Sequence, residues 1–253
     1  MKELPPGHSF IGTSNIALPG TKQNFPEVFK QKSRLHYYSS LFNSLEVNSS
    51  FYKVPMMTTF EKWTREVPED FRFTLKIWRE ISHVKELNMG ADRIHHFLKA
   101  AAGVGAKKGC LLLQFPGKIS LEYFSQVEFI LENLHQEDPT LHWPIAVEFR
   151  NPSWYVSESL ELLNEYGASL VMHDMPKAHN GVFNKKAREL YLRFHGPEGN
   201  YGGSYNIATL REKATSIIEW KRKGKNVYAY FNNTMGSAFE DAQTLQQLVA
   251  TDT

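Results

Sequence analysis

The sequence predicts a single (β/α)8 TIM-barrel-like domain in the α/β class, and three observations predict it. Eight short apolar, β-branched or aromatic runs recur along the 253 residues. Longer segments with apolar residues at three- and four-residue spacing alternate with them. The length suits one such barrel, and no Pro/Gly/Ser-rich linker, charge run or low-complexity tract divides the chain, so one domain over residues 1–253 is expected.

The eight strand candidates are Ser9–Ser14, Ser44–Phe51, Arg72–Ile77, Gly109–Phe115, Pro144–Arg150, Ser169–Asp174, Leu190–Gly196 and Asn226–Asn233. Among the helical segments, residues 91–104 place Ile94, Phe97, Leu98 and Ala101 on one face. The next, 120–134, opens on Ser120, a capping residue type. Residues 157–167 end on Gly167 and residues 206–224 on Gly224, as helix C-termini commonly do. The second of these runs through Lys and Arg first, which suits the negative end of the helix dipole. Residues 237–250 form the closing helix. A doubly wound sheet is the competing architecture, but no glycine-rich dinucleotide turn supports it. The segment GVGAKKG has neither the preceding strand nor the spacing of a phosphate loop and reads as a helix-to-strand turn.

Composition narrows the function classes. The chain is 42% hydrophobic and 22% charged with a formal net charge of +2, so no strong field draws it to nucleic acid or a membrane. Cys110 is the single cysteine, which excludes an internal disulfide and suits a reducing cytoplasm. Its run, GCLLLQF, reads as a buried strand, so a packing role is expected. The N-terminal MKELPPGHSF has no apolar segment, and no run of about 18 apolar residues occurs. A cytoplasmic protein without membrane association is expected.

The polar residues carry the functional argument. Side chains two apart on a strand share a face, and in a barrel alternate residues point inward while chemistry gathers at the C-terminal ends. SLEVNSSFY sends Glu46 and Asn48 to one face. By the same count Lys76 is in phase with Thr74, Gln114 with Leu112, and Glu148 and Arg150 with Ala146. Arg193 and His195 follow Tyr191, Asn232 follows Tyr228 and Tyr230, and the first strand contributes Gly12 and Ser14. These groups stand late in their strands, where a core would use Val or Leu. Burying each alone costs several kcal/mol unless it is paired. They are expected to converge on one polar pocket.

The motifs GTSN, SLEVNSSFYKVP, FEKWTREVPEDFRFTLKIWREISH, LLLQFP, VEFRNPSW, LYLRFHG and VYAYFNNTMGSAFEDAQTL, in this order, closely resemble the DUF72 (YecE-like) family. The resemblance runs from about Phe10 to the C-terminal helix. It implies a TIM-barrel-like fold and no established biochemical function. It marks Gly12, Ser14, Glu46, Asn48, Phe51, Tyr52, Trp63, Lys76, His83, Gln114, Pro116, Glu148, Arg150, Trp154, Arg193, His195, Gly196, Tyr230, Asn232 and Asn233. Near the start the chain departs from the pattern: Ile16 and Asn24 stand where the family carries aromatics.

Chemically, Glu46 and Glu148 are candidates for acid and base, His195 for proton transfer near neutral pH, and Lys76 for a catalytic cation. Arg150 and Arg193 suit a phosphate or carboxylate. Ser14, Asn48, Gln114 and Asn232 suit neutral hydrogen bonds, and Trp154 and Tyr201 suit stacking. Tyr201 lies in the glycine-rich loop GPEGNYGGSY, a candidate lid. His83 has a loop-capping alternative, and adjacent His95 and His96 read as a solvated helix face. No cofactor motif is evident and no spacing declares zinc. A divalent metal would have to be assembled from Glu46, Glu148, His173, Asp174 and His195, against the competition of nearby cations. The leading expectation is an enzyme, hydrolysis first, acting on a small anionic molecule. A metal-assisted phosphodiesterase, nuclease or isomerase is the first alternative. A non-catalytic protein binding a metabolite or a nucleic-acid end is the second.

Overall fold

Short parallel strands, each followed by helical turns, alternate along the chain in a computed structural model that describes residues 5–138, 143–178, 180 and 184–251. The strands are β1 (Ser9–Thr13), β2 (Ser44–Val47), β3 (Arg72–Lys76), β4 (Lys108–Phe115), β5 (Ile145–Phe149), β6 (Ser169–Leu170), β7 (Met172–His173), β8 (Glu189–Phe194) and β9 (Asn226–Phe231). The helices are α1 (Arg34–Ser39), α2 (Ser49–Tyr52), α3 (Met57–Arg65), α4 (Arg79–Ser82), α5 (Asp92–Ala101), α6 (Phe124–Gln136), α7 (Ser157–Glu165), α8 (Ile207–Arg222) and α9 (Ala238–Thr251). GVGAKKG lies between α5 and β4, where a turn was expected. Among the described residues no helix is long and apolar enough to cross a membrane.

The strands form two parallel sheets, in the orders β2-β3-β4-β5-β6 and β1-β9-β8-β7. Together they make the TIM-barrel-like architecture, and two seams join them. At one, β6 and β7 are halves of the sixth predicted strand, interrupted at Val171. The Val171 N–H still donates to Val147 O, whereas its carbonyl accepts from the Asn180 side chain. At the other, side chains do the work of a ladder between β1 and β2. The Asn43 amide accepts from Ile11 N at 2.9 Å and donates to Ser9 O at 2.8 Å. The Tyr38 hydroxyl accepts from Thr13 N and donates to Ser44 O. Above them Ser14 bridges Glu46, and Asn15 N donates to Glu46 O.

Period-two alternation places two kinds of residue on the two faces. Leu45, Val47, Leu113, Phe115, Val147 and Phe149 face the helices and belong to the large outer core. Phe10, Cys110, Leu112, Ala146, Tyr191, Tyr228 and Tyr230 pack as a second, inner cluster. Cys110 is thus a packing residue, and burial pushes its thiol up. Within the interior Tyr230 carries its hydroxyl to Ser44 Oγ and Thr74 Oγ1, so these three hydroxyls satisfy one another.

Two sequence expectations change. The second strand ends at Val47, not Phe51: Asn48 takes helical dihedrals and starts α2. Ser120 makes no capping bond. Its helix begins with a 3-10 turn, and the Leu121 amide is met by Ser153 Oγ instead.

The β1–β2 seam depends on Gly12. A Cβ there would lie 2.0 Å from Ser44 O and 2.7 Å from the Tyr38 hydroxyl. Gly12→Ala is therefore expected to cost about 2–3 kcal/mol, read from the denaturant midpoint. Gly202→Ala, whose Cβ would meet only Asn200 Oδ1 at 3.4 Å, serves as the control and is expected to stay within about 0.5 kcal/mol.

Candidate functional site

Two residues past an inner-facing position on each of six strands, and therefore in phase with it, stands a charged or amide group. Ser44 is followed by Glu46, Thr74 by Lys76, Leu112 by Gln114, Ala146 by Glu148, Tyr191 by Arg193 and Tyr230 by Asn232. Register places Gln114 level with Glu148, whereas Glu46 stands beside Thr74, Lys76 beside Leu112 and Arg193 beside Tyr230, so the polar groups are staggered around the strand ends. The same alternation that packs the interior therefore raises a polar layer at the C-terminal end.

Arg193 is the centre of that layer. It is 2% exposed, and its guanidinium reaches two carboxylates on two other strands. Nε and Nη2 donate to Glu46 Oε2 and Oε1 at 3.0 and 2.8 Å, a bidentate fork. Nη1 donates to Glu148 Oε2 at 2.7 Å. Glu46 also accepts from Ser14 Oγ and, at 2.6 Å, from the Tyr191 hydroxyl. Burial alone would raise the Glu46 carboxyl, but the charge and hydrogen bonds of Arg193, then those of Ser14 and Tyr191, bring it below its ordinary value. Burial is likewise outweighed at Glu148, first by Arg193 and then by Arg150, and its carboxyl sits well below the usual range. Both are buried anions.

A relay continues outward. Arg150 Nε donates to Glu148 Oε1, and its Nη2 meets His195 Nε2 at 3.0 Å. An arginine only donates, so Nε2 accepts and the His195 proton is on Nδ1. Nδ1 in turn faces Asp174 Oδ1 at 3.1 Å, the same oxygen that the His195 backbone N–H reaches at 2.8 Å. Tyr205 donates to Asp174 Oδ2 and accepts from Gly196 N. Burial pushes the His195 imidazole below its ordinary value although Asp174 opposes the shift. A neutral ring agrees with the tautomer that Arg150 imposes.

Lys76 is the exception. Its Nζ lies over the Phe51 ring, 4.2 Å from the centroid, and no ion pair or hydrogen bond to a described residue engages it. Desolvation first, and Arg193 second, lower its pKa to about 8. Beside it His83 bonds Ser82 Oγ and packs edge-on to Phe51. Burial, then the charges of Lys76, Arg79, Lys118 and Arg150, drive His83 to about 4.

The remaining predicted residues divide. Gln114, Asn48 and Asn232 lie at the strand ends, and no hydrogen bond to a described residue holds their side chains. The Asn48 Oδ1 is buried without a partner. Tyr201 stands edge-on to His195 at 5.7 Å and is 37% exposed. Trp154 is a correction to the stacking expectation. It is fully buried, lies flat on Phe149 at 4.2 Å, and spends its indole N–H on Ile119 O. His173 is a satisfied core residue. Its Nε2 faces Phe149 O, and its Nδ1 lies 3.3 Å from Met175 N. Among the described residues no group of three His, Cys, Asp or Glu side chains is arranged to hold a metal, and Glu46 and Glu148 are bonded to arginine. His95 pairs with Glu137 on the exposed face of α5. Ile16 lines an apolar cleft of about 270 Å³ with Leu35, Leu45, Val47 and Trp63, behind β2 and apart from the charged layer.

Sequence reading missed Tyr191 and Tyr205. Tyr191 was counted as the apolar residue preceding Arg193, and only its phase signalled that its hydroxyl would reach the same layer. Tyr205 carries no local signal, since its partner Asp174 is 31 residues away.

The profile of DUF72, described as a protein of unknown function, matches residues 10–253. The UPF0759 protein YunF of Bacillus subtilis is 25% identical over 247 residues, covering 86% of each chain. The UPF0759 protein YecE of Escherichia coli K12 is 25% identical over 150 residues, 57% of this chain and 53% of YecE. A crystal structure of a DUF72 family protein from Thermotoga maritima superposes with a TM-score of 0.76 at 25% identity, covering 96% of this chain and 99% of that one. One from Enterococcus faecalis gives 0.77 at 22% identity, covering 96% and 95%. With the TIM-barrel-like fold and the match running almost end to end, the chain belongs to the DUF72 family.

Proposed function

We propose that the C-terminal mouth of the barrel binds a small anionic molecule through a phosphate or carboxylate and acts on it as an enzyme, with hydrolysis the first reaction class to test. A cytoplasmic setting, in which the single cysteine stays a thiol, belongs to the same reading. The observation that carries it is Lys76. Its amine is unpaired beside two carboxylates already committed to arginines, so its charge is left for a ligand. The depressed His83 supports this, because the four charges acting on it most strongly after burial are all cationic.

Roles follow from which atoms are free. Glu46 and Glu148 hold the arginines and have no proton to give. Arg150 has Nη1 beyond its bonds to Glu148 and His195, available to an anion. The amine of Lys76, its pKa lowered to about 8, is still charged at neutral pH and is spent on the anion. His195 Nε2 becomes the base available to activate water when Arg150 turns from it to the ligand. The full engagement of both carboxylates also favours a second reading, a non-catalytic binder of the same anion. A turnover assay on each ligand found by thermal-shift screening separates the two.

Anion affinity in the wild type is expected to fall as pH rises through about 8, by up to about tenfold per unit, as the ammonium is lost. In Lys76→Met it should be weaker and lack this step; an unchanged profile by calorimetry removes Lys76 from the site. Stability runs the other way. The folded pKa of Lys76 lies below its unfolded value, so the unfolded chain binds more protons between about pH 8 and 10.5. Lys76→Met should therefore raise the melting temperature at pH 7, with the gain shrinking towards pH 10.5. Arg193→Met leaves buried Glu46 without a counter-charge and Glu148 with Arg150 alone, and is expected to cost about 3–5 kcal/mol in chemical denaturation.

A further inference from the structure

Beyond the ammonium and guanidinium that would hold an anion, the mouth carries hydrogen-bonding capacity that the protein does not use. Asn48, Gln114 and Asn232 end or follow β2, β4 and β9, and no described residue bonds their carboxamides. Gln114 is only 9% exposed, and the Asn48 Oδ1 is buried with no partner at all. Deeper in the barrel Tyr230 meets the hydroxyls of Ser44 and Thr74, whereas the carboxamides at the mouth have no such partner among the described residues. Each carboxamide offers both donor and acceptor, so the matching ligand group is one that also does both. A hydroxyl does; a methylene or a bare carboxylate does not.

Tyr201 is a separate observation at the same rim. Its ring is exposed, yet its backbone is held at φ 66 by two bonds: Tyr201 N donates to His195 O at 2.7 Å, and Met235 N donates to Tyr201 O at 3.0 Å. An exposed aromatic face held in place beside amides and cations suits the C–H face of a ring that carries hydroxyls at its edge.

We infer that the ligand is a polyhydroxylated anion, a sugar phosphate or a sugar acid, whose hydroxyls are read by the carboxamides of Asn48, Gln114 and Asn232 while Lys76 and Arg150 hold its charge. This rests on the anion-binding reading above and names the substrate class for it. Discrimination follows from the unmet amides: an apolar anion would cover them without bonding them, and a site built for hydroxyls rejects analogues that lack them.

Calorimetric titration of the full chain tests this with glucose 6-phosphate, gluconate, propyl phosphate and inorganic phosphate. Glucose 6-phosphate or gluconate is expected to bind about tenfold or more tighter than propyl phosphate, and whichever is preferred identifies the anionic group. Gln114→Leu and Asn232→Leu should each shrink that preference by weakening the sugar ligands without weakening propyl phosphate, and Tyr201→Ala should weaken the sugar ligands most. Propyl phosphate binding as tightly as both sugar ligands in the wild type overturns the hydroxyl reading and leaves the anion site standing. Binding by none of the four overturns both. The wild-type series decides the matter even where a variant fails to fold.

Discussion

Arg193 between Glu46 and Glu148 is the interaction on which the top of the barrel depends. Three fully buried charges drawn from β2, β5 and β8 occupy one layer, and each is tolerable only because the others are there. The two carboxylates exceed the one guanidinium, and Arg150 supplies the balancing charge from β5's own end. Five hydrogen bonds from Arg193, Ser14 and Tyr191 reach these oxygens with little freedom left to any of them. Such a layer is poorly suited to trading protons. It is well suited to holding its guanidinium groups at fixed positions.

That division of labour explains the behaviour of the neighbours. Once the carboxylates are bonded to the arginines, Lys76 has no ion-pair partner among the described residues, and burial first, then the charge of Arg193, push its ammonium towards neutrality against the pull of Glu148 and Glu46. Arg150 fixes the His195 tautomer, and Asp174 receives the resulting N–H, so the state of the outermost carboxylate is tied to the innermost by a continuous chain of bonds. A charge arriving at the mouth would compete with His195 for Arg150.

The glycine-rich loop after β8 has more anchorage than a candidate lid would suggest. Asp241 of α9 accepts from Ser204 Oγ at 2.7 Å and from Asn233 Nδ2 at 2.8 Å, and Tyr205 joins Asp174. A Cβ at Gly236 would lie 2.2 Å from Gly203 O, so the backbone of the loop rests directly on the turn after β9. Tyr201 is thereby presented at a defined place.

Much of this was legible before any coordinates. Strand periodicity is a local property, so counting by twos from Tyr191 or Ala146 was enough to put Arg193 and Glu148 on the inner face, and resemblance to a family pointed to the same barrel. Local patterns could not show where β2 stops, because the turn at Asn48 is set by packing of α2 rather than by its own sequence. Nor could they show that Trp154 is buried, since an aromatic beyond a strand end looks the same whether Phe149 or a ligand lies against it. Backbone geometry fixes the periods of strand and helix, so residue order alone settles which residues share a face and which elements alternate. Which charge neutralises which, that Lys76 is left over, and that Asn48 Oδ1 goes unmet emerge when the chain is folded. Those outcomes depend on distances between strands that are far apart in the chain.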